Sequence, residues 1–170
     1  EKELVDKLHI QATTDQLTGI FNRRVVFEAL DAAMDNANDA QDREFTTIMF
    51  DIDFFKHVND TYGHAGGDAV LISFAQLLRD EITSPNIVGR IGGEEFLAIL
   101  YLNEDQALEF CKKLIKKINE TLKNIDEDEY GYCMGCGEEI GLNRLQARPT
   151  ATLCIDCKTL QEIKEKQMAK

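Results

Sequence analysis

The sequence contains no apolar run close to the ~20 residues that a membrane-spanning helix requires, which excludes a helical membrane protein. Nor does any segment show the order of a secretory signal, so the expectation is a cytoplasmic protein. Basic side chains are scarce, with 19 Lys and Arg against 31 Asp and Glu and a net charge of −12. A chain so acidic repels a phosphate backbone, and direct DNA binding is not expected. At 170 residues, 44% of them hydrophobic and 29% charged, the composition is that of a globular protein with one ordinary core, or one modest core plus a small metal-stapled module. Four of the five cysteines form Cys-x-x-Cys pairs, which suits a metal site in a reducing compartment better than a disulfide framework.

Residues 1–14 carry Leu4, Val5, Leu8 and Ala12 at helical spacing and are expected to form a stalk-like helix. Thr13, Thr14 and Asp15 offer caps before a second helix over 23–34, whose apolar stripe is Val26, Leu30, Ala33 and Met34. After a polar loop at 36–44, residues 45–52 are expected as a buried strand. A helix then begins within the glycine-rich stretch 59–68 and presents Leu71, Phe74, Ala75, Leu78 and Ile82 to a core. Strands at 87–91 and 96–102 flank Gly92-Gly93 as a hairpin. A long helix over 104–125 carries Leu108, Cys111, Ile115, Ile118, Leu122 and Ile125 on one side.

This order gives an α+β class, an α/β sandwich of the ferredoxin-like or palm type without its last strand, followed by a long helix and a small four-cysteine module. The missing strand would normally pair beside the first, so 45–52 is expected to leave one row of backbone groups unpaired. The implied division is 1–14, 15–112, a connecting helix 113–129 and 130–170.

Asp51 and Asp53 alternate on a strand and so emerge on one face at its end, and a hairpin tip bearing Glu94 and Glu95 can lie beside them. Magnesium takes hard oxygen ligands and shares its shell with phosphates, so such carboxylates suit it. Taken singly, each motif is better read as the bland alternative, Asp51 and Asp53 solvating a strand end and Gly92-Gly93 making only a turn.

Four ordered motifs resemble the GGDEF family of diguanylate cyclases over residues 8–112. They are Thr14-Asp15-Gln16-Leu17-Thr18-Gly19 with Asn22-Arg23-Arg24, Asp51-Ile52-Asp53-Phe54-Phe55-Lys56, Asn59-Asp60-Thr61-Tyr62-Gly63-His64 with Gly67-Asp68, and the run from Arg90 to Phe96. The resemblance implies condensation of two GTP into cyclic di-GMP, with one nucleotide held by each domain of a homodimer. It implies Mg2+ (or Mn2+) on Asp51, the Ile52 carbonyl, Glu94 and Glu95, with Glu94 or Glu95 as general base. It further implies that Asn59 and Asp68 read the guanine edge with His64 nearby, and that Lys56 and Arg90 are phosphate or structural contacts. The family's next strand and its basic, triphosphate-gripping helix are not visible after Cys111, so efficient turnover is not expected. Thr83-Ser84-Pro85-Asn86 stands where many members carry an inhibitory Arg-x-x-Asp, so product inhibition through that site is not expected either.

Cys133-x-x-Cys136 and Cys154-x-x-Cys157 have the spacing of a structural zinc site, and four sulfur ligands leave no open position for a catalytic water. Cys111, on the apolar side of the long helix, is expected as a buried small hydrophobe. Residues 114–170 resemble the C-terminal part of the DksA/TraR family of RNA polymerase regulators. The match rests on Tyr130-Gly131-Tyr132-Cys133, Gly137-Glu138-Glu139-Ile140, Arg144-Leu145, Ala147-Arg148-Pro149-Thr150 and Cys154-Ile155-Asp156-Cys157-Lys158. In that family a coiled coil enters the polymerase with acidic residues at its tip. Here the tip is missing, and Leu160, Ile163 and Met168 are expected to pack a last helix on the knuckles.

Three functional readings follow: a magnesium-dependent cyclase domain binding GTP, a regulator contacting RNA polymerase, and a recombined or engineered chimera with neither activity at full strength. The GTP-facing motifs are nearly complete while the regulator's tip is absent, which ranks nucleotide chemistry first.

Overall fold

A computed structural model describes residues 2–38 and 44–168. The chain divides into two compact units, Glu1–Cys111 and Lys112–Lys170, with the division falling inside a helix.

The first unit runs α1 (Lys2–Thr13), β1 (Phe21–Asn22), α2 (Arg23–Asn38), β2 (Thr46–Asp51), α3 (Phe55–Glu81), β3 (Ile87–Gly92), β4 (Glu95–Leu100) and the start of α4 (Glu104–Asp126). Its strands form one sheet in the order β1-β3-β4-β2, with β1 parallel to β3 and the other pairs antiparallel. Alternation along β4 sets the two layers. Leu97 and Ile99 face α2, where they meet Val26, Ala33 and Ile91, with Leu30, Phe45 and Tyr101 at the margin. On the opposite face Phe74 of α3 stands edge-on between Phe50 of β2 and Phe96 of β4, with ring centroids 6.0 and 5.1 Å away. The expected core face of α3 is formed by Leu71, Ala75, Leu78 and Ile82, all buried.

β2 is an edge strand among the described residues, as its sequence position without a following partner strand implies. It is not the buried strand expected. Thr46, Ile48 and Phe50 are half-buried, whereas Thr47, Met49 and Asp51 are exposed because the α2 layer covers β3 and β4 instead. For the same reason Met34 leaves the α2 stripe and is half exposed.

Other local expectations shift in detail. The cap of α2 is Asn22, whose side chain accepts the Val25 amide at 3.1 Å, while the Thr13 and Thr14 hydroxyls donate back to carbonyls of α1. The patterning expected at Leu4 and Val5 concerns side chains outside the described residues, as do residues 39–43 of the expected loop. The two-residue β1 went unforeseen. It approaches β3 where Gly89 lacks a side chain, since a Cβ there would lie 2.4 Å from the Phe21 carbonyl oxygen.

In the second unit α4 ends at Asp126, followed by α5 (Leu142–Ala147) and α6 (Ile155–Met168). Asp128 takes a left-handed conformation, φ 58°, and the amides of Glu129 and Tyr130 return to the Asn124 carbonyl, which closes the helix. The apolar side of α4 is not buried as a whole. Ala107 and Leu114 are buried, Cys111 is only half-buried, and Leu108, Ile115, Leu122 and Ile125 are exposed. Leu160, Ile163 and Met168 are likewise exposed rather than packed on the knuckles. α6 is anchored at its first turn, where the Lys158 amide donates to the Cys154 carbonyl, and buries none of its residues.

Candidate nucleotide and metal sites

The β2–β4 register sets Asp51 directly opposite Glu95. Two like charges facing across adjacent strands repel, unless a cation lies between them. Glu94 occupies the turn after Gly92 and Gly93, and the β3–β4 register shifts between Arg90 and Gly92, so the tip departs from a plain hairpin. Gly93 has φ +45°, and a Cβ built on it meets nothing within 4 Å. The tip is therefore open to a ligand. Among the described residues these carboxylates do not form a group of three or more disposed to hold a metal by themselves. A hard cation there needs oxygens from a bound phosphate or water to complete its shell, which is the usual habit of magnesium.

Arg90 is committed to the hairpin. Its Nε donates to the Gly93 carbonyl at 2.9 Å, and its Nη1 lies 3.3 Å from the Asp15 carboxylate. Burial opposes ionisation of Asp15, but the Thr18 hydroxyl and amide, at 2.7 and 2.9 Å, together with Arg90 outweigh it and hold this carboxyl below its ordinary value of 3.8. Arg23 adds a second tie by donating to the Ile91 carbonyl at 3.1 Å. Asp15 and Arg23 lie in the first quoted motif, yet this bracing of the glycine turn was not foreseen.

Phe54, between Asp53 and α3, adopts φ 57° and is 85% exposed. A non-glycine residue in the left-handed region is costly and persists where the surroundings impose it. No sequence signal marks it.

α3 breaks at Gly63, with φ 73° and ψ 173°, a conformation that glycine alone adopts readily. The first segment carries Lys56 and Asn59, the second His64 and Asp68. At Gly67 an added Cβ would fall 2.1 Å from the Asn59 Oδ1, so the missing side chain is what lets the Asn59 amide lie beside Asp68's neighbour. Asn59 is half-buried, whereas Lys56, His64 and Asp68 are exposed.

The cysteines Cys133, Cys136, Cys154 and Cys157 bring four sulfur atoms within 4.8 Å of one another. The Cys154 and Gly135 amides donate to the Cys133 sulfur at 3.2 and 3.4 Å. The Cys154 amide is the main cause holding the Cys133 thiol down to about 6, whereas the neighbouring sulfurs, Cys133 first, push Cys157 up to about 12. Crowded thiols that cannot all ionise together are the donor set a dication resolves. Gly135 permits the approach, because a Cβ there would lie 3.0 Å from the Cys157 sulfur. Arg144 donates to the Leu153 carbonyl at 2.8 Å and steadies the second knuckle.

With these features in place the comparisons are specific. The family described as diguanylate cyclase, GGDEF domain, matches residues 12–166. The coiled-coil and GGDEF segment of DgcB from Caulobacter crescentus, solved with c-di-GMP, superposes with a TM-score of 0.62 at 29% identity, covering 66% of this chain and 59% of that one. Diguanylate cyclase SiaD from Pseudomonas aeruginosa, solved with its activator SiaC, gives a TM-score of 0.58 at 34% identity, covering 66% of this chain and 44% of that one. The RNA polymerase-binding transcription factor DksA of Salmonella typhimurium is 44% identical over 115 residues, 68% of this chain and 74% of that protein. Its counterpart in Escherichia coli K12 is 52% identical over 93 residues, 54% of this chain and 59% of that protein.

The fold and the glycine hairpin thus define an α+β GGDEF-type domain, and the chain belongs to the GGDEF diguanylate cyclase family. Its C-terminal part is homologous to DksA and carries a four-cysteine cluster consistent with a zinc finger. It spans 59% of the DgcB chain and 44% of the SiaD chain it resembles. No helix among the described residues is long and apolar enough to cross a membrane.

Proposed function

We propose that the first unit binds Mg·GTP and is built for the condensation of two GTP into cyclic di-GMP and two diphosphates. The observation that carries this reading is the Asp51–Glu95 register beside an unobstructed glycine tip. Asp51, the Ile52 carbonyl, Glu94 and Glu95 would hold Mg2+ (or Mn2+), which supplies charge neutralisation at the phosphates. Glu94 or Glu95 takes the proton of the attacking ribose 3′-hydroxyl as its oxygen bonds the α-phosphorus and diphosphate departs. Asn59 and Asp68 offer the mixed donor and acceptor set that a guanine edge requires, with His64 beside them. Lys56 stands at the first turn of α3 for a phosphate, whereas Arg90 acts by bracing the tip. Each nucleotide supplies one half of the product, so the productive form is a homodimer. On the reading that the family's later basic helix is missing after Cys111, binding is favoured over rapid turnover.

The zinc module would bind one structural Zn2+ on Cys133, Cys136, Cys154 and Cys157. DksA-type identity in this part supports a second reading, contact with RNA polymerase in the cytoplasm. A chain recombined or engineered from two sources would then hold neither activity at full strength.

The test is GTP titration in magnesium, with cyclic dinucleotide measured in the same samples. The wild-type chain binds, and the Asp51→Ala, Glu94→Ala, Glu95→Ala variant loses at least tenfold in affinity. Equal affinities overturn the reading. Binding without product identifies a sensor rather than a cyclase.

A further inference from the structure

Along α4 the residues Ile115, Ile118, Leu122 and Ile125 follow one another at steps of three, four and three, the spacing of alternating core positions in a heptad. The packed side of the helix is marked by buried Leu114, yet Ile115, Leu122 and Ile125 are 57%, 54% and 48% exposed.

Charge decides what covers these residues. The stretch begins with Lys112, Lys113, Lys116 and Lys117 and ends with Asp126, Glu127, Asp128 and Glu129. A parallel second copy would set lysine beside lysine and carboxylate beside carboxylate. An antiparallel copy sets each lysine end beside an acidic end. The same register stacks Ile115 on Ile125 of the second copy and Ile118 on its Leu122, which gives four apolar layers about a two-fold axis. Within each helix Lys116 meets Glu120 at 3.7 Å and Lys123 meets Glu127 at 3.6 Å. Both are exposed i,i+4 pairs, weak enough to be shared with a partner. In a chain of net charge −12, a second copy finds attraction at such a basic stretch.

We propose that the apolar stripe of α4, exposed at Ile115, Leu122 and Ile125 and half-buried at Ile118, pairs with the same stripe of a second copy, antiparallel. Four layers fall short of a standard interface, so the association is reversible and concentration-dependent. It does not depend on nucleotide.

Sedimentation velocity of the zinc-loaded full chain over a concentration series tests this. A shift from the 19.2 kDa monomer toward twice that mass is expected. Ile115→Asp with Leu122→Asp weakens it at least tenfold. Lys112→Glu with Lys116→Glu weakens it several-fold, and adding Asp126→Lys with Glu127→Lys restores it, which a parallel pair would not do. The charge-reversed positions are exposed, so those variants keep their fold, and zinc content with far-UV circular dichroism checks each protein. A monomer at every concentration, a dimer indifferent to both substitutions, or failure of the second charge reversal to restore pairing overturns the proposal.

Discussion

Asp51 and Glu95 stand opposite each other with no positive side chain supplied by their own two strands, because β2 and β4 carry no Lys or Arg. Opposed like charges on a sheet cost no more than about 1 kcal/mol when exposed, so removing one of them should not harm the fold. Asp51→Asn, melted without magnesium, is expected to match or slightly exceed wild-type stability. A large loss would mean that this carboxylate is structural, and the metal reading would weaken with it. Gly67 offers a second test at this scale. Gly67→Ala drives a methyl to 2.1 Å from the Asn59 oxygen and forces the amide aside, an overpacking cost of about 1–3 kcal/mol. GTP affinity should fall at least tenfold while adenine nucleotides, bound weakly throughout, change little. Unchanged GTP affinity would remove Asn59 from the guanine site.

Among the elements, those with strong periodicity and a single packed face were legible in the sequence. The core face of α3, the β3–β4 hairpin and the open edge at β2 emerge where the residues imply, although α3 begins at Phe55, ahead of the expected stretch 59–68. β1 did not, since two residues have no period, and only the bare Gly89 of β3 hints that another backbone comes close. α4 was misread for the opposite reason. Its apolar residues cover nearly half its circumference, and periodicity cannot say which part is packed: Leu114 is, whereas Ile115 is not. α6 misled similarly, as Leu160 and Ile163 carry helical spacing but no second layer faces them among the described residues. In the candidate site the motif residues were readable as chemistry. Their bracing by Asp15, Arg23 and Arg90 was not, because it joins positions far apart in the chain through backbone carbonyls that carry no sequence signal.

At the level of the whole molecule two stabilising strategies share one chain. The first unit rests on a sheet packed on both faces. In the second, the buried hydrophobic residues are Leu114, Cys133 and Ile140. So small a core does not hold a fold by itself, and metal ligation by the four cysteines would supply the difference. Chelation followed by hydrogen exchange should therefore collapse protection at residues 130–157 while leaving β3 and β4 protected. Retention of protection in both would show that the cysteine module stands without metal.

The account as a whole depends on a hard cation shared by the end of β2, the hairpin and a nucleotide. Electron paramagnetic resonance of Mn2+ titrated into protein with GTP reads that directly. About one protein-bound Mn·GTP per chain is predicted for the wild type, with loss of the bound signal in Asp51→Asn combined with Glu95→Gln. An identical bound signal in wild type and variant, or none in either, would contradict it.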